Sequence, residues 1–281
     1  MKNIFIKQIF VLSLMAISVV ANSQDAMLKY NFVKGKTYVL NTQLNNNIVQ
    51  TMGGQEMKME SGINSTSEFL VENVDEKGNA TILVSLKDAS VASKIPAMGR
   101  DTTMKFNDLN EQTRVVITSA GKNISSASVS AGNVSMMLGS VEKFTKFIQL
   151  PEKSVKVGEK WSDKLVDSIK SSPQSPVNLV ITTDFEFSFV GTEVVDGVEL
   201  TKISFTGALQ INGSGNQMGM DLFVEGNGKS EGVLYFNPKS SLVVKTDTNT
   251  EMDMNIAVSG QQNMTMPMNQ SMKTITTLVE K

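Results

Sequence analysis

Methionine is the residue type that stands out in this chain: there are 18, against no cysteine and no histidine. Met57/Met59, Met218/Met220, Met252/Met254 and Met264/Met266/Met268/Met272 recur mostly at even spacing. On a strand, even spacing puts side chains on one face. Thioethers gathered there can hold a soft cation such as Cu(I). The same side chains are flexible and apolar, and they line an irregular hydrophobic surface equally well. The two missing types narrow the chemistry further. Without cysteine there are no disulfides, no thiolate catalysis and no Cys-type metal sites. Without histidine the usual general base, the Ser-His-Asp arrangement and imidazole metal sites are gone. An enzyme would be left with carboxylates, Lys, Tyr or Ser–Lys pairs. Asp184/Glu186 and Glu251/Asp253 stand at spacing two, the kind of pair a carboxylate-dependent hydrolase uses. Each belongs to a longer polar row, however, where solvated charge is the ordinary state. Gly213-Ser214-Gly215 and Gly226-Asn227-Gly228 read as turns without a strand-to-helix unit behind them, so no phosphate loop is indicated. No acidic loop has the glycine that a calcium site of the EF-hand type requires. The expectation is a protein with no cofactor and no catalytic residues, with soft-metal capture or a carboxylate hydrolase as alternatives.

The elements that would position these residues are strands. From Leu242 to Val258 the even positions run Leu242, Val244, Thr246, Thr248, Thr250, Met252, Met254, Ile256 and Val258. The odd positions from Lys245 are Asp247, Asn249, Glu251, Asp253 and Asn255. Strict alternation over such a length predicts a long strand with one dry and one wet face. At about 3.3 Å per residue it would reach roughly 55 Å, so it must bend or cross a strongly curved sheet. Tyr38 to Ile48 and Met57 to Val71 alternate in the same way around Gly53-Gly54, a long hairpin. Asp75 to Asn79 is the next turn. Thr102 to Phe106 and Thr113 to Ser119 read as a shorter hairpin after a loop at Ala97 to Asp101. Gly226 to Gly228 reads as a turn into Gly232 to Phe236. The period changes after Gly132. Met137, Val141, Phe144 and Ile148 fall at helical spacing, with Asn133 as N-cap and Pro151 as stop. The expected architecture is mainly β: a large curved antiparallel sheet or half-barrel of long strands, covered by one amphipathic helix at about 133–149. Val155 to Trp161 repeats the outline of Val33 to Tyr38, so the chain divides into a first β half at 24–131, a helix and linker at 132–150, and a second, similar β half at 151–281. On such a sheet, inward rows of Met, Phe, Leu and Thr would line a cavity for an apolar ligand. Phe185, Phe187, Phe205, Met218, Met220, Met252, Met254 and Phe144 are the residues expected to line it.

Composition and the first residues place the chain. Net charge is −2, with no basic stripe and aromatics at 6%, which excludes nucleic acid as a partner. Lys2 and Lys7 precede an apolar run from Ile9 to Val20, and Ala21-Asn22-Ser23 offers small residues for cleavage before Gln24. That is the pattern of a secretory signal peptide at 1–23. The apolar run is too short for a transmembrane anchor, and no cysteine follows it to carry a lipid. The expected location is the periplasm or the exterior, in contact with the outer membrane or not. The expected partners are an apolar small molecule such as a lipid, and a protein of the cell envelope.

The blocks Tyr30 to Tyr38, Leu150-Pro151-Glu152-Lys153 with Val155 to Trp161, and Gly232 to Asn237 resemble a family of exported β-rich proteins of Bacteroidetes-type bacteria, a domain of unknown function. The resemblance spans most of the chain after the signal, rests on turns and strand starts, and brings no catalytic residues. The helix-capped sheet is also similar in architecture to periplasmic half-barrel lipoprotein carriers. In such a host, Asp101-Thr102-Thr103 and Asp167-Ser168-Ile169 resemble short O-glycosylation sequons.

Overall fold

The structure is a computed structural model, and it describes residues 25–130, 132, 147–171, 176–217, 219–260 and 263–281. The expected signal peptide at 1–23 and most of the expected helix at 133–149 lie outside the described residues. Twelve strands follow in order: β1 (Thr37–Met52), β2 (Gln55–Val74), β3 (Ala80–Ile95), β4 (Arg100–Phe106), β5 (Glu111–Ile117), β6 (Asn123–Ser130), β7 (Lys160–Ile169), β8 (Val177–Val195), β9 (Val198–Gln217), β10 (Met220–Asn237), β11 (Leu242–Ser259) and β12 (Met264–Glu280). All pair antiparallel in one sheet of order β6-β5-β3-β2-β1-β12-β11-β10-β9-β8-β7, with β4 added beside β3. The first and last strands of the chain's sheet, β1 and β12, are partners at its centre, from Tyr38 opposite Glu280 to Gln50 opposite Met268. Strands β6 and β7 end the sheet and do not pair with each other, so it is open.

Alternation sets the two faces. In β11, Thr250, Met252, Met254 and Val258 are buried while Glu251, Asp253 and Asn255 are exposed, as their period of two requires. Register carries that division from strand to strand. Salt bridges mark the wet face: Lys160–Glu186, Lys164–Asp184, Lys229–Glu251, Lys273–Asp247 and Arg114–Glu72. The dry face holds one large core cluster, in which Val115 and Ile117 of β5 belong together with Phe187 of β8, Ile203 of β9 and Leu234 of β10. Strands near opposite ends of the sheet share that cluster, so the sheet curls toward its dry face.

Two extended segments fill the curl. Residues 25–33 alternate, with Leu28, Tyr30 and Phe32 buried and Met27, Lys29, Asn31 and Val33 exposed. Residues 147–155 lie beside them, tied by a two-way backbone bridge between Ala26 and Val155. Phe147 packs its ring on Tyr30, Phe32 and Phe69 with centroids 5.6, 5.6 and 5.8 Å apart. The described end of the expected helix is therefore not helical, and among the described residues the only helical turn is the 3-10 turn Pro96–Met98. The backbone near Ile148 has other partners. Tyr30 Oη donates to Ile148 O at 3.1 Å, Trp161 Nε1 to Gln149 O at 3.2 Å, and Leu150 N to Ala120 O at 2.8 Å. Of the expected apolar stripe only Ile148 is described, and it is half-buried with a backbone held by these tertiary hydrogen bonds rather than by a helix.

Two further expectations are corrected. Strands β4 and β5 do not form a hairpin: both pair with β3, β5 along Ala80 to Leu86 and β4 along Ala89 to Ile95. A bulge between Leu86 and Asp88 separates the two stretches, and bulges of this kind change a strand's direction. Second, Gly213, Gly215, Gly226 and Gly228 are not turn residues but lie inside β9 and β10. They stand on the dry face, where side chains of neighbouring strands lie across them. A Cβ on Gly226 would meet Met254 Cγ at 2.6 Å, and one on Gly207 would meet the Phe185 ring at 2.8 Å. Glycine in a strand often marks such a close approach.

The repeated motif makes the same turn twice. Gly35 N donates to Val71 O and Val71 N to Lys36 O, while Gly158 N donates to Phe189 O and Phe189 N to Glu159 O. Each glycine has a positive φ, 83° and 88°, a conformation that glycine adopts without steric cost. Each turn then delivers an aromatic residue opposite a phenylalanine, Tyr38 against Phe69 and Trp161 against Phe187.

Candidate ligand-binding site

The expected lining residues fall in two places on the dry face. Phe185, Phe187 and Phe205 join Trp161 in a packed aromatic group with centroids 5.5–5.9 Å apart. Phe187 and Phe205 are buried in the main core cluster, and Phe185 packs against it. Met252 and Met254 belong to a second cluster nearer the other end of the strands, with Leu209, Ile211 and Val224. Met220 opens β10 half-buried, on the same face as Leu222 and Val224. Met218 and Phe144 lie outside the described residues.

Between the two clusters the dry face narrows to small and hydroxylic side chains. Thr246, Thr248 and Thr250 of β11 face Thr276, Thr274 and Met272 of β12, and Ser230 and Thr250 share a buried hydrogen bond of 3.0 Å. Asn46 gives its Nδ2 to Ser61 Oγ at 3.3 Å, and its Oδ1 has no partner among the described residues.

Two hollows touch the dry side or the gap between the sheet's ends. A mainly apolar hollow of about 90 Å³ lies between Tyr30, Phe69, Phe147, Leu242 and Leu278, too small for an ordinary organic ligand, which needs about 300–1,000 Å³. The filling by residues 25–33 and 147–155 accounts for its size. A larger slot, about 330 Å³, lies between the ends of the sheet. Val115 and Ile117 of β5 form one wall and Leu165 of β7 the other, with Phe147 between. Lys122 and Asn123 are at its rim, and Asp163 and Asp167 flank Leu165 along the β7 side, while Lys164 turns to the opposite face, where it pairs with Asp184. Beyond them the dry face carries methionines, half-buried at Met57, Met59, Met266, Met268 and Met272.

The wet face has broad furrows, one of about 690 Å³. It runs between the cross-strand rows Gln210–Asn227–Asp253–Asn269 and Asn212–Glu225–Asn255–Pro267, over the backbone of Ile211, Gly226, Met254 and Met268. Adjacent rows on a pleated sheet leave such a furrow by construction. The carboxylates proposed for hydrolysis stand out here in water. Asp184 and Glu186 are paired to Lys164 and Lys160, Glu251 to Lys229, and Asp253 accepts from Asn269 Nδ2. Hydrogen bonds and nearby cations hold several other acids of the molecule below the usual carboxylate range: Glu72 by Arg114, Glu68 by Lys281, Glu193 by Lys202. Burial pushes the Tyr30 phenol well above its ordinary value. Among the described residues no group of three or more acids is placed to hold a metal ion, and no helix is long and apolar enough to cross a membrane.

Sequence reasoning missed the slot and the segment 25–33. The alternation of Ala26 to Val33 was legible, but the slot needs strands at opposite ends of the sheet to meet, and no local pattern carries that.

No protein-family model matches the chain, and no curated protein matches it. Solved structures that match include a protein of Bacteroides fragilis, described as exported and of YmcC-like fold, at 11% identity over 90% of this chain and 98% of that one, with a TM-score of 0.25. An outer membrane channel of Pseudomonas putida matches at 9% identity over 91% and 97%, TM-score 0.26. The OmpF of Salmonella typhi, in complex with daunomycin, matches at 6% over 87% and 98%, TM-score 0.25.

Proposed function

We propose that this is an exported, non-enzymatic binding protein of the cell envelope that takes a small amphiphile, such as a single-chain lipid, into the slot between β5 and β7. The observation that carries the reading is that the sheet curls on its apolar face without closing. That leaves a slot with Val115 and Ile117 on one side, Leu165 between Asp163 and Asp167 on the other, Lys122 at its rim and a volume within the range of small-molecule sites. An acyl chain would lie against Val115, Ile117 and Leu165, and the polar head would meet Lys122 and Asn123 at the rim. The distribution of charge fits a carrier working in water. A lipid-facing barrel wall needs an outward apolar band about 25 Å tall, and here the outward face carries the ion pairs. Export rests on the pattern of residues 1–23, and the open edges of β6 and β7 give an envelope protein partner backbone to pair with.

The test is a fluorescence titration of delipidated protein with dansyl-labelled undecanoic acid. Saturable binding is expected, weakened about tenfold or more in Leu165→Glu, which puts a charge where the acyl chain would lie. A wild-type protein that takes up none of the probe overturns the proposal, as does an unchanged affinity in the folded variant.

A further inference from the structure

The methionines of this dry-face region come from three separate stretches of sequence, on β2, β11 and β12, with β1 between β12 and β2. Register places Met254 of β11 directly opposite Met268 of β12, and Gln50 of β1 between Met268 and Met57 of β2. The next row is Met252, Gln270, Ile48 and Met59. Met266 stands two residues from Met268 on the same face, opposite Ile256 and diagonal to Met254. Directly opposed Cβ atoms lie about 5 Å apart and diagonal ones about 7–8 Å, within reach of long side chains. Met268 packs in the cluster that holds Met252 and Met254. Gln50 Nε2 lies 3.8 Å from Met266 Sδ as a donor, which places that sulfur over the row shared by Met57, Met268 and Met254.

We propose that Met254, Met266 and Met268 form a three-thioether site for Cu(I), with Gln50 positioning the Met266 sulfur. The donor set selects the metal. Thioethers are neutral and soft and favour Cu(I), while hard divalent ions want oxygen and Zn²⁺ wants imidazole or thiolate, neither of which this chain has. Between β2 and β11 the rows of the site hold Met, Gln and Ile and no carboxylate. Pro267, on the opposite face between Met266 and Met268, fixes the backbone dihedral φ there and limits the freedom the two ligands lose on binding. The site is on the dry face, apart from the slot, and stands whether or not an amphiphile binds there.

The experiment is an anaerobic titration with Cu(I) in competition with bicinchoninate, followed by X-ray absorption of the loaded protein. One Cu(I) per chain with a sulfur-only shell is expected. Replacing Met254, Met266 and Met268 together by Leu, nearly isosteric, should weaken competition at least about tenfold while circular dichroism stays unchanged. Met268→Leu alone should lower the sulfur count by one, which keeps the test available if the triple variant does not fold. Failure of the wild type to compete, a shell of nitrogen or oxygen, or full retention in the folded Leu variants each overturns the proposal.

Discussion

Replacing Gly226 by alanine tests the packing of the dry face at one atom. Gly226 faces Met254 across β10 and β11. An added Cβ would stand 2.7 Å from the Asp253 carbonyl oxygen, 2.6 Å from Met254 Cγ and 3.1 Å from Met254 Cα. The methionine side chain can swing away, but the carbonyl belongs to the backbone of the neighbouring strand. The approach is roughly 0.7 Å inside ordinary contact, so β10 and β11 must part or shear. Overpacking of this kind costs about 1–3 kcal/mol, against a gain of about 0.4–1 kcal/mol from a stiffer unfolded chain. Gly62 in β2 is the control. A Cβ there meets nothing closer than 3.7 Å, so Gly62→Ala should be neutral or gain that smaller amount. In urea, with a slope of about 1–3 kcal/mol per molar, the midpoint of Gly226→Ala should fall by about 0.5–1 M while that of Gly62→Ala holds or rises. A Gly226→Ala midpoint at or above wild type would refute the placement of Met254 over β10.

With no histidine in the chain, stability should be level from about pH 5 to pH 9, and a slope in thermal midpoint between pH 6 and 8 would contradict this. Below that range, Glu72, Glu68, Glu193 and Asp75 have depressed pKa values in the fold, through Arg114, Lys281, Lys202 and Asn79 first in each case. Their stabilisation is present above the unfolded carboxylate range, about 4, and is lost as pH falls through the folded values, so the midpoint should drop there. Above pH 10 the sign reverses: the buried Tyr30 phenol keeps its proton in the fold while the unfolded chain releases it near 10. Tyr30→Phe should lose about 1 kcal/mol at neutral pH with the hydrogen bond to Ile148, and show a shallower alkaline decline. Thr250→Val should cost about 1–3 kcal/mol by stranding the Ser230 hydroxyl. Adding Ser230→Ala should recover part of that cost, and strict additivity in urea unfolding would exclude the shared bond.

Much of the fold could be read from alternation, because a one-sided sheet writes its faces into the sequence. The rows of β11 and the hairpin around Gly53-Gly54 lie where period two and turn glycines placed them. Gly226 and Gly228 misled because a glycine under a neighbour's methionine and a glycine in a turn are the same residue locally. Only the register of β10 against β11 tells them apart. The pairing of β4 and β5 with one strand depends on the bulge in β3, which short alternating stretches do not announce. The methionines were visible as pairs at even spacing, but their convergence required β12 to lie between β11 and β1. The slot was out of reach for the same reason.

The curl of the sheet supports both binding surfaces, and one distance measures it. The chain has no cysteine, so Ser125→Cys on β6 and Val166→Cys on β7, both exposed, can be spin-labelled alone and their separation read by pulsed electron resonance. In a flat sheet of this strand order the end strands would stand roughly 48 Å apart at about 4.8 Å per strand. The slot lined from β5 and β7 together requires much less, and a distance distribution centred below about half the flat value is expected. A distribution centred near the flat value would show that the ends never meet, and the slot would not exist.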